Sequence, residues 1–233
     1  MFKTEFFHNF MRTPSALAGS IILVFLITVV LIGPGLTSQN PYDIASLDLM
    51  DAYKPPAWEE EGDTAFPLGT DGQGRDVLAA IVYGCRISLF IGLTAMVCSF
   101  LIGTSLGIIA GYTGGWVDGL IMRIADIQLS FPTMLIALFL MSAFGTGTDK
   151  ILIALTCVGW VVYARTVRGA TLSEREKEYV QAAIVAGLSR TRIMIRHVLP
   201  NVLTPLIVIA TIQVGAFVLI EASLSFLGLG VPI

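Results

Sequence analysis

Four stretches of this chain carry no Asp, Glu, Lys or Arg for longer than a bilayer is thick. They lie between Arg12 and Asp43, Arg86 and Asp118, Asp126 and Asp149, and Arg196 and Glu221. A membrane-crossing helix takes about 20 predominantly apolar residues, so each window is long enough. A fifth window, between Lys150 and Arg165, is shorter and crosses if Arg165 and Arg168 snorkel to the surface at its end. The pattern predicts spans over 15–36, 87–111, 119–143, 149–168 and 201–223, an all-α, polytopic membrane helix bundle. Only 13% of the 233 residues are charged, about half the share usual in a soluble domain. The first apolar run exceeds a signal-peptide core, and no small-residue cleavage pattern follows it at Thr37-Ser38-Gln39, so it reads as a retained anchor. Cys85, Cys98 and Cys157 are odd in number and two fall inside spans, which argues for packing roles over a disulfide framework. A net charge of −3 argues against a nucleic-acid partner.

Charge also orients the chain. Residues 37–86 hold nine acids against Lys54, Arg75 and Arg86, whereas 165–197 hold Arg165, Arg168, Arg175, Lys177, Arg190, Arg192 and Arg196. Because Lys and Arg mark the cytoplasmic side, 165–197 is expected inside and 37–86 outside. Lys3 and Arg12 put the N-terminus inside. Three regions result: 1–36 with the first span, the periplasmic segment 37–86, and a core over 87–233 with a cytoplasmic loop at 174–200. Gly103, Gly107 and Gly111 recur every four residues, which predicts a face where another helix approaches closely. Pro132 should kink the third span.

Catalytic chemistry is hard to find. No phosphate-cradling Gly-x-x-x-x-Gly-Lys-Ser/Thr loop and no Gly-x-Ser-x-Gly elbow occurs, and His8 and His197 belong to no ligand-spaced cluster. Nothing calls for a metal or a cofactor, and an enzyme reading has no residues to rest on. Arg123 and Asp126, one helical turn apart, are expected to pair near the inner end of the third span. Glu221, an acid in the last span, has two open readings: a pathway residue, or a group that caps or pairs with a neighbouring helix.

The most ordered polar stretch runs from Glu178 to Asn201 and reads as helix, turn, helix. Gly187 can take a left-handed cap, Ser189 can cap the second helix, and Pro200 is expected to end it before the last span. Small residues (Ala182, Ala183, Ala186) beside bases suit close approach by an acidic partner groove; the bland reading is an amphipathic loop on lipid headgroups.

These residues resemble the Glu-Ala-Ala loop of binding-protein-dependent ABC transporter permeases. Gln181-Ala182-Ala183, Gly187 at the family spacing and His197-Val198-Leu199-Pro200 carry the likeness. Gln181 stands where Glu is usual. His197 replaces the usual Ile, as in the dipeptide/oligopeptide/nickel subfamily, whose Arg-His-x-Leu-Pro-Asn pattern Arg196–Asn201 follows. Leu68-Gly69-Thr70-Asp71 with Gly74-Arg75-Asp76, Tyr83–Leu89, Gly111–Asp118, Met122–Asp126 and Glu221–Gly230 are similar to its C-type subunit. The resemblance implies a type I ABC importer permease fold in the bacterial inner membrane. It also implies a second homologous permease, two cytoplasmic ATP-binding subunits that carry the ATP chemistry, and a solute-binding protein. Gln181, Ala182, Ala183, Gly187, His197, Leu199 and Pro200 would then couple to the ATPases, with Arg123, Asp126 and Glu221 as structural or pathway residues. Dipeptides, oligopeptides, glutathione, opines and nickel chelates all remain open as solutes, and the rival class is an ion-driven secondary transporter or channel. Family members continue into a sixth span, whereas this sequence stops at Val231-Pro232-Ile233. It therefore looks one helix short, Leu224–Ile233 being too brief to cross again. A sixth helix covering span five would normally shield Glu221, which is then expected to lose part of its cover.

Overall fold

The structure, a computed structural model, describes residues 10–37, 39–43, 45 and 47–230. Lys3, His8 and the closing Val231-Pro232-Ile233, on which expectations about the two ends rest, lie outside them. The chain divides into two compact units, Met1–Ile87 and Ser88–Ile233.

In the first unit, α1 (Pro14–Ile32) starts with Pro at its first turn, where no backbone N–H is missed, and buries none of its residues. A helix apolar all round and unburied has lipid as its solvent. Beyond the 3-10 turn Gly33–Gly35, the polar segment is held by side-chain-capped turns. Asp48 accepts from the Met50 N–H at 2.9 Å, and the Lys54 ammonium lies between Asp51 (2.8 Å) and Asp63 (3.1 Å), over the Phe66 ring. Asp71 closes the tightest turn, accepting from the N–H groups of Gln73 and Arg75 and from the Arg75 guanidinium at 2.7 Å. Burial pushes the Asp71 carboxyl up, but these donors outweigh it and hold the group below the usual carboxylate range.

The second unit contains most of α2 (Val77–Thr113), α3 (Gly115–Leu129), α4 (Thr133–Phe144), α5 (Thr148–Arg175), α6 (Glu178–Val185), α7 (Arg190–Ile193) and α8 (Leu199–Phe226). α2 begins ten residues before the expected 87, because Asp76 accepts from the Leu78 N–H and stabilises the helix start well outside the apolar run. α5 runs at the centre. Along α2, a Cβ on Gly103 would meet the Trp160 carbonyl at 2.3 Å, one on Gly107 the Ala164 carbonyl at 2.5 Å, and one on Gly111 the Arg168 carbonyl at 2.9 Å. The glycine seam is therefore real, and the two helices run parallel along it.

The third expected span is not one kinked helix. α3 and α4 meet at 90° across Ser130-Phe131-Pro132, each too short to cross alone. Pro132 cannot donate to a preceding turn and pushes Phe131 out of the helical region. α5 then fixes the direction of the break: Gln128 Nε2 donates to the Val158 carbonyl at 3.0 Å, and Trp160 Nε1 donates to Gln128 Oε1 at 3.1 Å. Arg168 pairs with Asp118 at the start of α3, and only three residues separate the end of α4 from the start of α5. The bent pair thus travels along α5 from Arg168 to the start of the helix, about 30 Å at 1.5 Å per residue.

α8 lies antiparallel to α2: a Cβ on Gly92 would meet Val218, and Ser88 reaches Glu221. Pro200 does not end the preceding helix, contrary to expectation. Helix continues from Arg190 to Phe226 through a π-turn at Met194–Val198. The wider turn accommodates a residue with no N–H inside the helical run, and Pro200 falls in the first turn of α8.

Candidate functional site

α6 ends in a Schellman motif: the Leu188 N–H bonds the Ala183 carbonyl, the Gly187 N–H bonds the Ile184 carbonyl, and Gly187 adopts φ +76°. Ser189 caps α7, accepting from the Arg192 N–H. The expected helix, turn and helix are present. Val180, Ala183, Ile193 and Val198 are buried and pack with Ile108, Tyr163, Val167, Val202 and Leu206 of α2, α5 and α8. Ala183 therefore faces inward and offers no surface to a partner, unlike the sequence reading of its three alanines. The outward face carries Gln181, Ala182, Val185, Ala186, Arg190 and Arg192, all exposed, with Val185 at 88%. Leu199 and His197 are half-buried, and Pro200 is exposed.

A polar cluster under this face involves residues that sequence reasoning passed over. Tyr179 Oη lies within hydrogen-bond distance of Glu174 Oε1 at the end of α5, and Asn201 Nδ2 donates to it at 3.0 Å from the start of α8. The same amide donates to the His197 carbonyl at 2.8 Å. A phenol has one proton, and a carboxylate is the stronger acceptor, so the Tyr179 proton goes to Glu174. Burial, and then the neighbouring Glu174, push the hydroxyl up to about 12, so it stays protonated and donating. Lys177 holds the other Glu174 oxygen at 2.7 Å, and Gln181 Nε2 donates to the Arg175 carbonyl at 2.9 Å. Residues 174, 179 and 201 share no helical periodicity, so no pattern in the sequence joins them.

Within the bundle, Asp126 pairs with Arg165 of α5 and not with Arg123, which makes no ion pair among the described residues. Arg168 grips both oxygens of Asp118, and Arg165 and Arg168 line an open pocket of about 420 Å³ with Met122 and Asp126. Partners two elements along the chain displace the one-turn neighbour because α5 presents two arginines to α3. Glu221 is only 4% exposed. Ser88 Oγ donates to one of its oxygens at 2.6 Å and Ser225 Oγ to the other at 2.8 Å. The acid is bonded to a neighbouring helix, and packing against Ser88 gives it cover independently of any later span.

Residues 103–233 match the family of binding-protein-dependent transport system inner membrane components. The chain belongs to this family. Residues 2–56 of the permease match the N-terminal TM domain of oligopeptide transport permease C. It is 37% identical over 227 residues to the di/tripeptide transport system permease protein DppC of Pseudomonas aeruginosa, covering 97% of this chain and 74% of that one. It is 41% identical over 222 residues to the oligopeptide transport system permease protein OppC of Haemophilus influenzae, covering 95% and 69%. Against the structure of inward-facing MetNI methionine ABC transporter it gives a TM-score of 0.58 at 22% identity, over 65% of this chain and 76% of that one. The expected ABC importer permease fold is thereby met, in a multi-pass membrane protein.

Proposed function

We propose that this permease forms the translocation pathway of an ATP-driven importer for peptides or related small solutes, and that residues 174–200 seat a cytoplasmic ATP-binding subunit. The observation that carries this is the two-sidedness of α6 and α7. Val180, Ala183, Ile193 and Val198 lock the loop onto the membrane helices, while Ala182, Val185, Ala186 and the bases beyond them face outward. An apolar patch rimmed by bases on a rigid mount suits an acidic groove in a protein better than fluid headgroups. ATP binding and hydrolysis belong to two such partners, and the solute arrives from a binding protein on the side of residues 37–86. A second permease subunit completes the pathway. The names of the relatives, di/tripeptide and oligopeptide permeases, favour peptides over the other solutes.

The test is site-specific cross-linking in the assembled complex. A cysteine at the exposed Val185 should cross-link to the ATP-binding subunit, and uptake into proteoliposomes should require ATP and stop with vanadate. A Val185→Cys chain that cross-links only to lipid, with uptake indifferent to vanadate, would refute the assignment.

A further inference from the structure

We infer that Tyr179 is a positioning residue whose hydroxyl clamps the two legs of the loop into one body, so that movement of α6 is passed on to α5 and α8 together. The inference rests on the proposed seating of the ATP-binding subunit at this loop.

The loop is joined to the membrane helices in two chemically distinct ways. Its apolar face, Val180, Ala183, Ile193 and Val198, is buried against them. Such contacts are non-directional and tolerate sliding. The polar joint is directional. One oxygen atom, Tyr179 Oη on the first turn of α6, meets the Glu174 carboxylate at the end of α5 and the Asn201 amide at the start of α8. Glu174 is buried at 7% exposure and its second oxygen is held by Lys177, so the acceptor is fixed. Asn201 is held by a second bond, to the His197 carbonyl in the π-turn. Both partners are therefore anchored before the tyrosine reaches them. A push on the outer face of α6 reaches α5 through the carboxylate and α8 through the amide.

Tyr179 is 38% exposed, and Tyr179→Phe removes a single oxygen and leaves shape and surface almost unaltered. In the complete complex, Tyr179→Phe should co-purify with its ATP-binding subunits as the parent does and hydrolyse ATP. Solute taken up per ATP should fall about tenfold, the scale of a lost bond to a charged group. Glu174→Gln keeps one oxygen, for which Lys177 and the phenol compete, and should retain more of the ratio than Glu174→Ala, which leaves the phenol no acceptor there. Joining Tyr179→Phe to Glu174→Ala should cost no more than either change alone. Asn201→Leu, which removes the donor on the other leg, reads the same ratio if Tyr179→Phe fails to assemble. An unchanged ratio in Tyr179→Phe, additive losses in the double variant, or loss of assembly in both Tyr179→Phe and Asn201→Leu would each overturn the inference. The Val185→Cys cross-link separates this from the underlying assignment. If it forms in a Tyr179→Phe background with an unchanged ratio, only the clamp is wrong; if it never forms, the seating is wrong as well.

Discussion

Gly187 and Gly107 are both small by necessity, but for different reasons. Gly187 has a left-handed backbone, and no atom lies within 4 Å of where its Cβ would be, so a side chain there costs conformation and not space. The cost to a non-glycine residue is about 1 kcal/mol or more. Gly187→Val should misplace α7 and lower solute uptake per ATP in the assembled complex, while Gly187→Asn, which tolerates the left-handed region, retains more of it. Equal ratios for both would remove the backbone argument. Gly107 has an ordinary helical backbone but faces the Ala164 carbonyl at 2.5 Å. Gly107→Ala should destabilise the bundle by about 1–3 kcal/mol through overpacking, seen as a lower thermal unfolding midpoint in detergent. Gly119→Ala, with open space around it, should not lower it. Both glycines were legible in the sequence, one from its position after a helix and one from its spacing. Tyr179 was not, because its partners at 174 and 201 come together only after the chain has folded back.

At the scale of elements, Gln128 fastens the end of α3 to α5 with two hydrogen bonds. Gln128→Leu leaves the Trp160 N–H and the Val158 carbonyl without this partner, and each such loss costs about 1–3 kcal/mol when buried. The change should lower the unfolding midpoint and loosen the 90° break, measurable as faster hydrogen exchange at 128–134. Unaltered exchange there would show that Pro132 alone sets the break. The sequence announced the proline but not the angle, since the angle is decided by side chains on a different helix. The same holds for Asp126: one-turn spacing made Arg123 its natural mate, and Arg165 takes that place from 39 residues away. In the polar segment, Asp71 has its carboxyl held below the usual range in the folded chain. Its contribution to stability is therefore full above its unfolded value of about 3.9 and is lost as pH falls through the folded value. Protection of the 69–76 amides, taken relative to their intrinsic exchange rate at each pH, should fall as pH drops below about 3.9, and Asp71→Asn should flatten that dependence; constant protection in the parent would contradict it.

For the whole molecule, the bent pair decides the topology. Among the described residues, four helices are individually long and apolar enough to cross, and the count becomes five if α3 and α4 make one span. With the N-terminus inside, four crossings would leave the basic 174–200 loop outside, against the charge rule; five put it inside. The pair's passage along α5, from Arg168 to the start of that helix, favours five. A cysteine at Thr146, between α4 and α5, should then react with a membrane-impermeant reagent from the outside, as should one at Glu60, while one at Arg190 should not. Labelling of Thr146 only from the inside would make the pair re-entrant and reverse everything after it.

The glycine seam carries one more implication. A repeat of four is degenerate: slide α2 along α5 by one turn and Gly103 would take the surroundings that Gly107 has now. What forbids the slip is an exchange of roles at the end of the seam. At Ser99 the residue with no side chain belongs to the other helix, Gly159, whose Cβ would lie 2.6 Å from the Ser99 hydroxyl. Moved one turn, Ser99 would meet the Trp160 carbonyl and the Tyr163 Cβ, which only a glycine can approach. The seam is keyed like a zip with a stop, closing in one register although most of its teeth are alike.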